Sequence, residues 1–494
     1  MVFSSLLFLF CYLPAVLLAY YLLPKAWRNR MLFFASLIFY AWGEPIYIFL
    51  MLFTIVFGYA TGLMLERWGP PGEAGGGQAD GGHASGGGVA PRGQAAAFRA
   101  KLILALAVAV NIGILGFFKY GGFIADNINS LLGLRLSLPD LPLPLGISFY
   151  TFQTMSYTID VYRGKAPVQH SLISFGTYVA MFPQLIAGPI VRYNTVARQL
   201  NERRESLAAF GSGVGIFAVG LAKKVLLANN IGLFWDSIKA FTPAEMSLTA
   251  AWAGIVAFGL QLYFDFSGYS DMAVGLGRML GFEFERNFDY PYISRSVSEF
   301  WRRWHISLST WFKEYLYIPL GGSRCGLART TFNLLVVWMA TGIWHGANWN
   351  FLFWGLYYFV FLALEKSGLR RLLEKAPRAV GWFYTVSVVM VGWAIFVFED
   401  MAGLTGYLLA LAGQGIGGGV INDRILYLLS SFGVMLILAL AAATPWPARL
   451  FNRLTEGRPR LTLWLKPVLV LAALLLSTAY LVDSSYNPFL YFRF

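Results

Sequence analysis

Residues 331–365 read TFNLLVVWMATGIWHGANWNFLFWGLYYFVFLALE and contain no Asp, Glu, Lys or Arg before Glu365. Two apolar runs, 332–344 and 351–364, flank a short turn that begins at His345. This pattern predicts two helices of a membrane protein joined as a hairpin. An ionisable residue at membrane depth is costly to desolvate and by default indicates a functional site. The other interpretation of His345 is a neutral histidine hydrogen-bonded between helices, and the spacing alone does not separate the two.

The composition extends this prediction to the whole chain. Of its 494 residues, 57% are hydrophobic and only 13% are charged, whereas soluble domains carry about 25% charged residues. Several uncharged runs are long enough to span a bilayer, which takes about 20 residues. These runs do not alternate in hydrophobicity as barrel strands do. The sequence therefore predicts an all-α polytopic membrane protein surrounded by membrane lipids.

The net charge of +13 has a simple explanation in this setting. Lys and Arg lie in short loops between apolar runs, which is typical of the cytoplasmic loops of membrane proteins. The sequence contains no basic domain and no nucleic-acid-binding motif, so we expect no nucleic acid partner. Cys11 and Cys325 lie far apart, and no disulfide framework or cysteine metal site is expected.

The positions of Lys and Arg also predict the topology: about 12 transmembrane helices plus re-entrant segments around a central recess, with both termini periplasmic. The first apolar run, 5–23, has its positive residues after it rather than before it, which predicts an uncleaved helix. The run 175–190 contains Pro183 and Gly188 and has basic residues at both ends. We expect it to re-enter on one side, which requires burial in protein or a cavity.

Composition divides the chain into three parts. Residues 1–68 form N-terminal transmembrane helices, and residues 98–494 form the core with a periplasmic C-terminal tail. Between them, residues 69–97 are mostly Gly, Ala and small polar residues without apolar periodicity. This composition is typical of a flexible linker, here expected to be cytoplasmic.

Several long motifs in the chain resemble those of the membrane-bound O-acyltransferases, and within that family the alginate O-acetyltransferase branch. The two blocks that resemble the family signatures are WRRWHISLSTWFKEYLYIPLGG at 301–322 and GIWHGANWNFLFWG at 342–355. Further blocks are LPLGISFYTFQTMSYTIDVYRG at 143–164, FPQLIAGPIVR at 182–192, QLYFDFSGYSDMAVGLGRMLGF at 261–282 and NPFLYFRF at 487–494. The resemblance covers most of the chain.

The resemblance implies an inner-membrane O-acyltransferase. It implies that an acetyl group passes from a cytoplasmic donor, acetyl-CoA, across the membrane for O-acetylation of a periplasmic exopolysaccharide such as alginate; no tightly bound cofactor is expected. The chain has no GxSxG elbow between a strand and a helix. We therefore expect a periplasmic SGNH-type acetyltransferase partner to complete the transfer to the polysaccharide acceptor.

Two alternative functions stay open. One is D-alanyl or acetyl transfer to a cell-wall polymer, either teichoic acid or peptidoglycan. The other belongs to a different class, a transporter, which would show inverted repeats and matched broken helices. No such repeat is evident in the sequence.

The two signature histidines are the candidate catalytic residues. The resemblance aligns His345 with the invariant catalytic histidine of the family. A histidine, with an ordinary pKa near 6.5, is suited to take the proton of an acceptor hydroxyl. Asn348 is expected to orient the ring or to polarise a carbonyl. His305 matches the second signature histidine, where it binds or positions the donor or serves as a hydrogen-bonded structural residue. Their wide separation is unlike a helical zinc pair, so we expect no metal site.

Charged residues of the first signature block and of YFDFSGYSD form a second candidate group. Arg302 and Arg303 are expected to attract an anionic donor, although ordinary cytoplasmic positive charge explains them too. Asp265 is costly to bury without a partner. We expect it to pair with Arg302 or Arg303, in a donor site or as a structural ion pair.

The aromatic tail supplies one more candidate. Because a terminus is normally polar and frayed, the apolar end of the chain is expected to dock. Tyr491 is the only residue among the last four with a nucleophilic side chain. Its hydroxyl is a candidate acyl relay between His345 and the partner, and simple anchoring of the tail by its aromatic rings is the alternative.

Overall fold

A computed structural model describes residues 1–68, 94–137, 139, 141–186 and 188–483. Within these residues the chain is 78% helical and contains no strand, which confirms the predicted all-α class. Residues 69–93 of the predicted linker and the whole segment 484–494, with Tyr491, lie outside the described residues.

The described residues of the first half of the chain form ten α-helices. They are α1 (Leu13–Leu22), α2 (Lys25–Gly43), α3 (Ile48–Trp68), α4 (Gln94–Leu132), α5 (Ile147–Tyr162), α6 (Leu172–Ala180), α7 (Phe182–Leu185), α8 (Tyr193–Glu202), α9 (Leu207–Ala222) and α10 (Asn229–Lys239). A π-helical stretch precedes α1 at Phe8–Tyr12, and another joins α9 to α10 at Lys223–Ala228. Because α4 begins at Gln94, the last residues of the predicted linker are helical, and its boundary at Ala97 is wrong.

The second half of the chain contains the two signature blocks. Its helices are α11 (Leu248–Met279), α12 (Val297–Arg303), α13 (Ile306–Phe312), α14 (Gly326–His345), α15 (Trp349–Leu364), α16 (Arg370–Lys375), α17 (Arg378–Val397), α18 (Met401–Leu411), α19 (Asp423–Ala442), α20 (Trp446–Thr455) and α21 (Pro459–Asp483). Shorter π-helical turns follow α13 at Lys313–Tyr317 and α15 at Glu365–Leu369.

Within the described ranges, seven helical segments are long and apolar enough to cross a membrane. They are Ile48–Trp68, Gln94–Leu132, Leu207–Lys239, Leu248–Met279, Arg378–Val397, Asp423–Ala442 and Pro459–Asp483. A multi-pass membrane protein is thereby confirmed, whereas about 12 crossings stays a prediction. The segment predicted to be re-entrant is broken as expected. It consists of α6, the single turn of α7 and irregular chain up to Arg192, and nearly all of its described residues are buried.

The longest buried helix, α11, packs closely against α9 through pairs of glycines. A Cβ atom placed on Gly220 would lie 2.5 Å from the carbonyl oxygen of Gly268, and one on Gly213 would lie 2.7 Å from that of Gly275. Small residues at such contacts let two helix backbones approach closely, which is a common device in membranes. This contact makes α9 and α11 a rigid element at the centre of the chain.

The predicted hairpin is formed by α14 and α15, and glycines again set its geometry. A Cβ atom on Gly342 would collide with the carbonyl oxygen of Phe351, and one on Gly355 would collide with that of Trp338. The two helices therefore pack backbone to backbone. Gly346 and the next two residues make the turn, so His345 is the last residue of α14 and lies at the tip of the hairpin.

Candidate active site

The ring of His345 is enclosed by aromatic side chains. Its centroid lies 5.0 Å from the ring of Trp344, 4.9 Å from that of Trp354 and 5.3 Å from that of Phe396, each nearly perpendicular to it. Trp354 is fully buried. His345 itself is only half-buried, and no described residue hydrogen-bonds to its ring nitrogens. An imidazole held in this way keeps a free nitrogen for a substrate.

His345 opens into a small cavity between the hairpin tip and the start of α5. The cavity has a volume of about 60 Å³. Its lining residues are Lys119, Leu143, Pro144, Leu145, Gly146, Ile147, Ser148, Phe149, Ile186, Trp344 and His345. A water molecule takes about 30 Å³ in the liquid, so the cavity has room for a group of only a few non-hydrogen atoms.

Two neighbouring residues of α4 hold the end of α14 in place. Lys119 Nζ donates to the carbonyl oxygens of Trp344 at 2.6 Å and of His345 at 3.0 Å. The hydroxyl of Tyr120 donates to the carbonyl oxygen of Ile343 at 2.6 Å. The last carbonyls of a helix have no partner within the helix, and here α4 supplies the donors. The backbone of His345 is thereby fixed at the edge of the cavity.

The structure brings the two signature histidines together around one indole. The ring of His305 lies 6.1 Å from the ring of Trp344, and the ring of His345 lies 5.0 Å from the same indole. The two imidazoles are therefore at most about 11 Å apart, by the sum of those two distances. His305 is 1% exposed, so it belongs to the interior, whereas His345 faces the cavity.

Asn287 fixes the orientation of His305 and also its tautomer. The side-chain oxygen of Asn287 accepts hydrogen bonds from the backbone N–H of Ser307 at 3.2 Å and from its hydroxyl at 2.9 Å. Because a backbone N–H can only donate, the atom that it contacts must be the amide oxygen. Nδ1 of His305 lies 3.2 Å from the same oxygen and therefore carries the proton. Nε2 is then an acceptor, and among the described residues it has no partner.

The same asparagine holds His305 in an uncommon backbone conformation. His305 has φ 44° and ψ 56°, in the left-handed region that few non-glycine residues adopt. The next residue, Ile306, donates its backbone N–H to the carbonyl oxygen of Asn287 at 2.9 Å. Asn287 is 2% exposed. The loop before α13 is therefore built around one buried amide, which presents the His305 ring to the interior.

The two candidate arginines have different surroundings. Arg303 pairs with Asp289 and with Glu299, both at 3.0 Å. Arg302 pairs with no acidic residue in the described part of the chain, and it lines two surface pockets of about 450 and 540 Å³. The other basic residues that line one or both pockets are Arg295, Lys366, Arg370, Arg371 and Arg378. Of the two arginines, Arg302 is the one available to an anion.

Buried donors without partners lie between these pockets and His345. Trp301 precedes Arg302 in α12, and its ring lies 5.4 Å from that of Trp354 and 4.9 Å from that of Tyr358. Trp354 in turn contacts His345 at 4.9 Å. The indole N–H groups of both tryptophans and the Tyr358 hydroxyl are buried and hydrogen-bond to no described residue. Such groups are rare in proteins and require an explanation, which a polar ligand would supply.

Asp265 lies away from the arginines. Its Oδ1 is 2.6 Å from Nζ of Lys224, and both side chains are nearly completely buried, with 3% and 2% exposed. The next lysine, Lys223, pairs at 2.6 Å with Asp271. The predicted pairing of Asp265 with Arg302 or Arg303 is therefore wrong, because α11 turns this carboxylate toward the π-helical stretch after α9.

Asn348 is the N-cap of α15. Its side-chain oxygen accepts the backbone N–H of Trp349 at 2.6 Å, and its amide nitrogen donates to the carbonyl oxygen of Glu399 at 3.4 Å. A contact with the His345 ring is not among its hydrogen bonds in the described chain. In this structure Asn348 therefore stabilises the start of α15 and the turn that follows His345.

Sequence reasoning missed two residues of this site, Lys119 and Asn287. A signal existed for Lys119, since it is the only charged residue between Lys101 and Asp126 and intramembrane charges are functional candidates. For Asn287 there was none, because its partners lie about 20 positions away and only the fold brings them together.

The arrangement defines a class of protein: a helical membrane enzyme in which a buried histidine and a half-buried histidine at the tip of a helical hairpin meet at one indole. A family model for the membrane-bound O-acyltransferase family matches residues 161–405, which include both histidines. Together with the relatives below, this match shows that the chain belongs to that family and is an O-acyltransferase.

Relatives of known name agree with this class. The chain is 42% identical to a probable alginate O-acetylase of Azotobacter vinelandii, over 81% of this chain and 76% of that one. It is 39% identical to a probable alginate O-acetylase of Pseudomonas putida over the full length of both. A peptidoglycan O-acetyltransferase of Helicobacter pylori is 30% identical over 100% of this chain and 98% of that one.

Proposed function

We propose that this protein is the inner-membrane O-acetyltransferase of an exopolysaccharide acetylation system, with an alginate-like polymer as the final acceptor. The proposal is supported by relatives that carry the alginate O-acetylase name at about 40% identity over most of their length. The observation that carries it within the chain is the pair of histidines converging on Trp344, one facing the interior and one facing the cavity.

The donor is acetyl-CoA, bound from the cytoplasmic side at the pockets that Arg302 lines. Their volumes, about 450 and 540 Å³, are in the usual range for small-molecule sites of roughly 300–1,000 Å³. The unpaired guanidinium of Arg302 is suited to a phosphate group. The buried donors of Trp301, Trp354 and Tyr358 support a path for the amide-bearing arm of the donor toward His345.

His345 is the general base of the transfer. Its free ring nitrogen takes the proton of the acceptor hydroxyl as the hydroxyl oxygen attacks the acyl carbon. His305, held as the Nδ1–H tautomer by Asn287, presents Nε2 as a hydrogen-bond acceptor on the interior side. It positions the donor rather than exchanging protons with the cavity, since it is 1% exposed.

The size of the cavity favours a short acyl group. A volume of about 60 Å³ beside His345 accommodates an acetyl group. Donor and acceptor approach this point from opposite sides of the membrane, so the acetyl group crosses while the nucleotide stays in the cytoplasm.

A periplasmic partner of the SGNH type completes the transfer to the polymer. The C-terminal tail lies outside the described residues, and Tyr491 stays a candidate relay between His345 and that partner. Tyr491→Phe keeps the ring and removes the hydroxyl. If Tyr491 relays the acyl group, this variant loses polymer acetylation at normal protein levels. If the variant acetylates the polymer normally, the role of the tail is anchoring.

The proposal is tested by replacing His345 with Ala in purified protein reconstituted in liposomes with acetyl-CoA. Acceptor-dependent release of CoA is expected to fall at least 10²-fold, which is typical for loss of general base catalysis. His170→Ala is the matched control, because His170 is a surface residue, 68% exposed, whose ring pairs with Glu66 at 3.2 Å. Activity of the His345 variant near that of the control would refute the assignment.

A second acceptor class is favoured by one comparison. The relative from Helicobacter pylori is a peptidoglycan O-acetyltransferase that aligns over its whole length. Acetate released by mild base from purified polysaccharide or from purified cell wall, in cells with and without the protein, distinguishes the two polymers. A D-alanyl group in place of acetate would instead indicate the teichoic acid alternative.

A further inference from the structure

One charged residue of α4 lies where neither signature block accounts for it. Lys119 is flanked on both sides by uncharged residues, from Leu102 to Ala125. Charged side chains within membrane-spanning helices usually face the protein interior or a cavity and mark a functional path. Lys119 follows this rule, because it lines the cavity beside His345.

The ammonium group of Lys119 is only partly engaged. Its two bonds go to the carbonyl oxygens of Trp344 and His345, at 2.6 and 3.0 Å. An ammonium group has three donors. Nζ also lies 5.7 Å from the centre of the Trp344 ring. No other acceptor in the described part of the chain binds Nζ, so its third N–H has no hydrogen-bond partner there, beside the cavity that His345 also lines.

Capping of α14 does not by itself require a charge. Tyr120, the next residue of α4, holds the carbonyl oxygen of Ile343 at 2.6 Å with a neutral hydroxyl. Helices commonly end without a basic residue, because a following glycine or a polar side chain satisfies the last carbonyls. Gly346, the residue after α14, is extended (φ −168°, ψ 163°) and does not form a glycine cap. Because a neutral hydroxyl is enough at Ile343, holding a carbonyl oxygen does not explain why residue 119 carries a charge.

We propose that Lys119 is a catalytic residue that stabilises the negative charge on the acyl oxygen during transfer; this inference rests on the proposed function. The acceptor hydroxyl oxygen bonds to the acyl carbon, its proton moves to His345, and the carbonyl electron pair moves to the acyl oxygen beside Nζ. When the intermediate collapses, the carbon–sulfur bond breaks and the leaving thiolate takes the proton from His345. Atoms, charge and electrons balance without any further reactant.

Lys119 and His345 line the same small cavity, of about 60 Å³. An acetyl group at the ring of His345 therefore lies in the cavity that Lys119 also borders. Nζ is already fixed by two hydrogen bonds, so it needs no rearrangement when the charge develops. Donors fixed in advance toward a developing charge are often the largest single contribution to catalysis.

The test is Lys119→Met, which keeps an unbranched side chain only one atom shorter and removes its donors and charge. In liposomes with acetyl-CoA and a hydroxyl acceptor, kcat is expected to fall about 10²- to 10³-fold, as when one oxyanion donor is removed. The KM for the donor should change less than about threefold, since the group acts in the transition state. Lys101→Met is the matched control, because Lys101 is an exposed lysine of the same helix, and its kcat should be unchanged.

A second experiment keeps the inference testable if Lys119→Met folds poorly. Lys119→Cys is made together with Cys11→Ser and Cys325→Ser, which replace the two free, exposed cysteines. Treatment with 2-bromoethylamine rebuilds an ammonium side chain of nearly the original length. Once mass spectrometry shows the added aminoethyl group, kcat is expected to recover at least tenfold.

Three results would overturn the inference. The first is a Lys119→Met variant whose kcat stays within about threefold of wild type. The second is an equal loss of kcat in Tyr120→Phe, which removes a hydrogen bond to the end of α14 but leaves the ammonium group. The third is a kcat that does not recover after aminoethylation. If Lys119→Met is active and His345→Ala is inactive, only the role of Lys119 fails. If His345→Ala is active as well, the proposed function fails with it.

Discussion

Replacing Asp265 with Asn is expected to destabilise the protein strongly without removing a group that touches the substrate. Asp265 and Lys224 form a buried ion pair with an Oδ1 to Nζ distance of 2.6 Å and exposures of 3% and 2%. Removing one partner of such a pair typically costs about 3–5 kcal/mol, because it leaves an uncompensated buried charge. Asn229 still accepts from Lys224 at 3.0 Å, so we expect the lower end, about 3 kcal/mol.

A double variant separates stability from catalysis. Asp265→Leu with Lys224→Met replaces both charges by apolar side chains of similar size. Such replacements are often neutral or stabilising by about 1–4 kcal/mol. If the pair is structural, the double variant recovers both the free energy of unfolding and the acetylation activity that Asp265→Asn loses.

Unfolding of each purified variant is measured in mixed micelles, and acceptor-dependent CoA release is measured on the same variants. Glu202→Gln is the control, because Glu202 pairs with Arg198 at the surface with 72% and 89% exposure, and exposed pairs contribute about 0–1 kcal/mol. A double variant that unfolds like wild type but stays inactive would refute the structural interpretation. That result would support a role for Asp265 in the donor site.

Two further predictions concern the loop and hairpin that hold the histidines. Asn287→Leu removes the acceptor for His305 and Ser307, and leaving such buried donors unpaired costs about 1–3 kcal/mol each. We therefore expect this variant to lose activity in the CoA-release assay. Asn287→Asp keeps the oxygen and should partly restore the activity. Gly355→Leu places a side chain against the carbonyl oxygen of Trp338 and should lower the free energy of unfolding by about 1–3 kcal/mol. Gly433→Leu is the control, because open space surrounds its Cβ position, and it should leave the free energy of unfolding unchanged.

The hairpin and the all-α class could be predicted from sequence because they depend on local hydrophobicity. The runs on either side of His345 have no charge and the length of a helix, and the structure forms α14 and α15 there. The linker boundary was misplaced because Gln94–Ala97 lack apolar periodicity, yet they continue the strongly apolar α4 as its first turn. Alanine, with its high helix propensity, was the signal overlooked at this boundary.

Only the residues of the site that lie in recognisable sequence motifs could be predicted. His305 and His345 stand in long signature blocks, but their convergence on Trp344 depends on tertiary packing that no spacing reveals. The partner of Asp265 was misassigned for the same reason, since the nearest basic residues along the motifs are not those nearest in space. Lysines in apolar runs deserved more weight, because Lys119 and Lys224 both proved to have specific partners.

The aromatic enclosure of His345 also bears on the leakage of protons across the membrane. An enzyme that carries an acetyl group between two aqueous compartments must not give protons the same route. Trp344, Trp354 and Phe396 surround the imidazole, and the cavity of about 60 Å³ holds roughly two waters rather than a continuous file. Liposomes containing the protein should therefore keep an imposed proton gradient as long as empty liposomes do. Under the proposed function, acetylation of the outer polymer would then draw on a cytoplasmic thioester without dissipating the membrane potential.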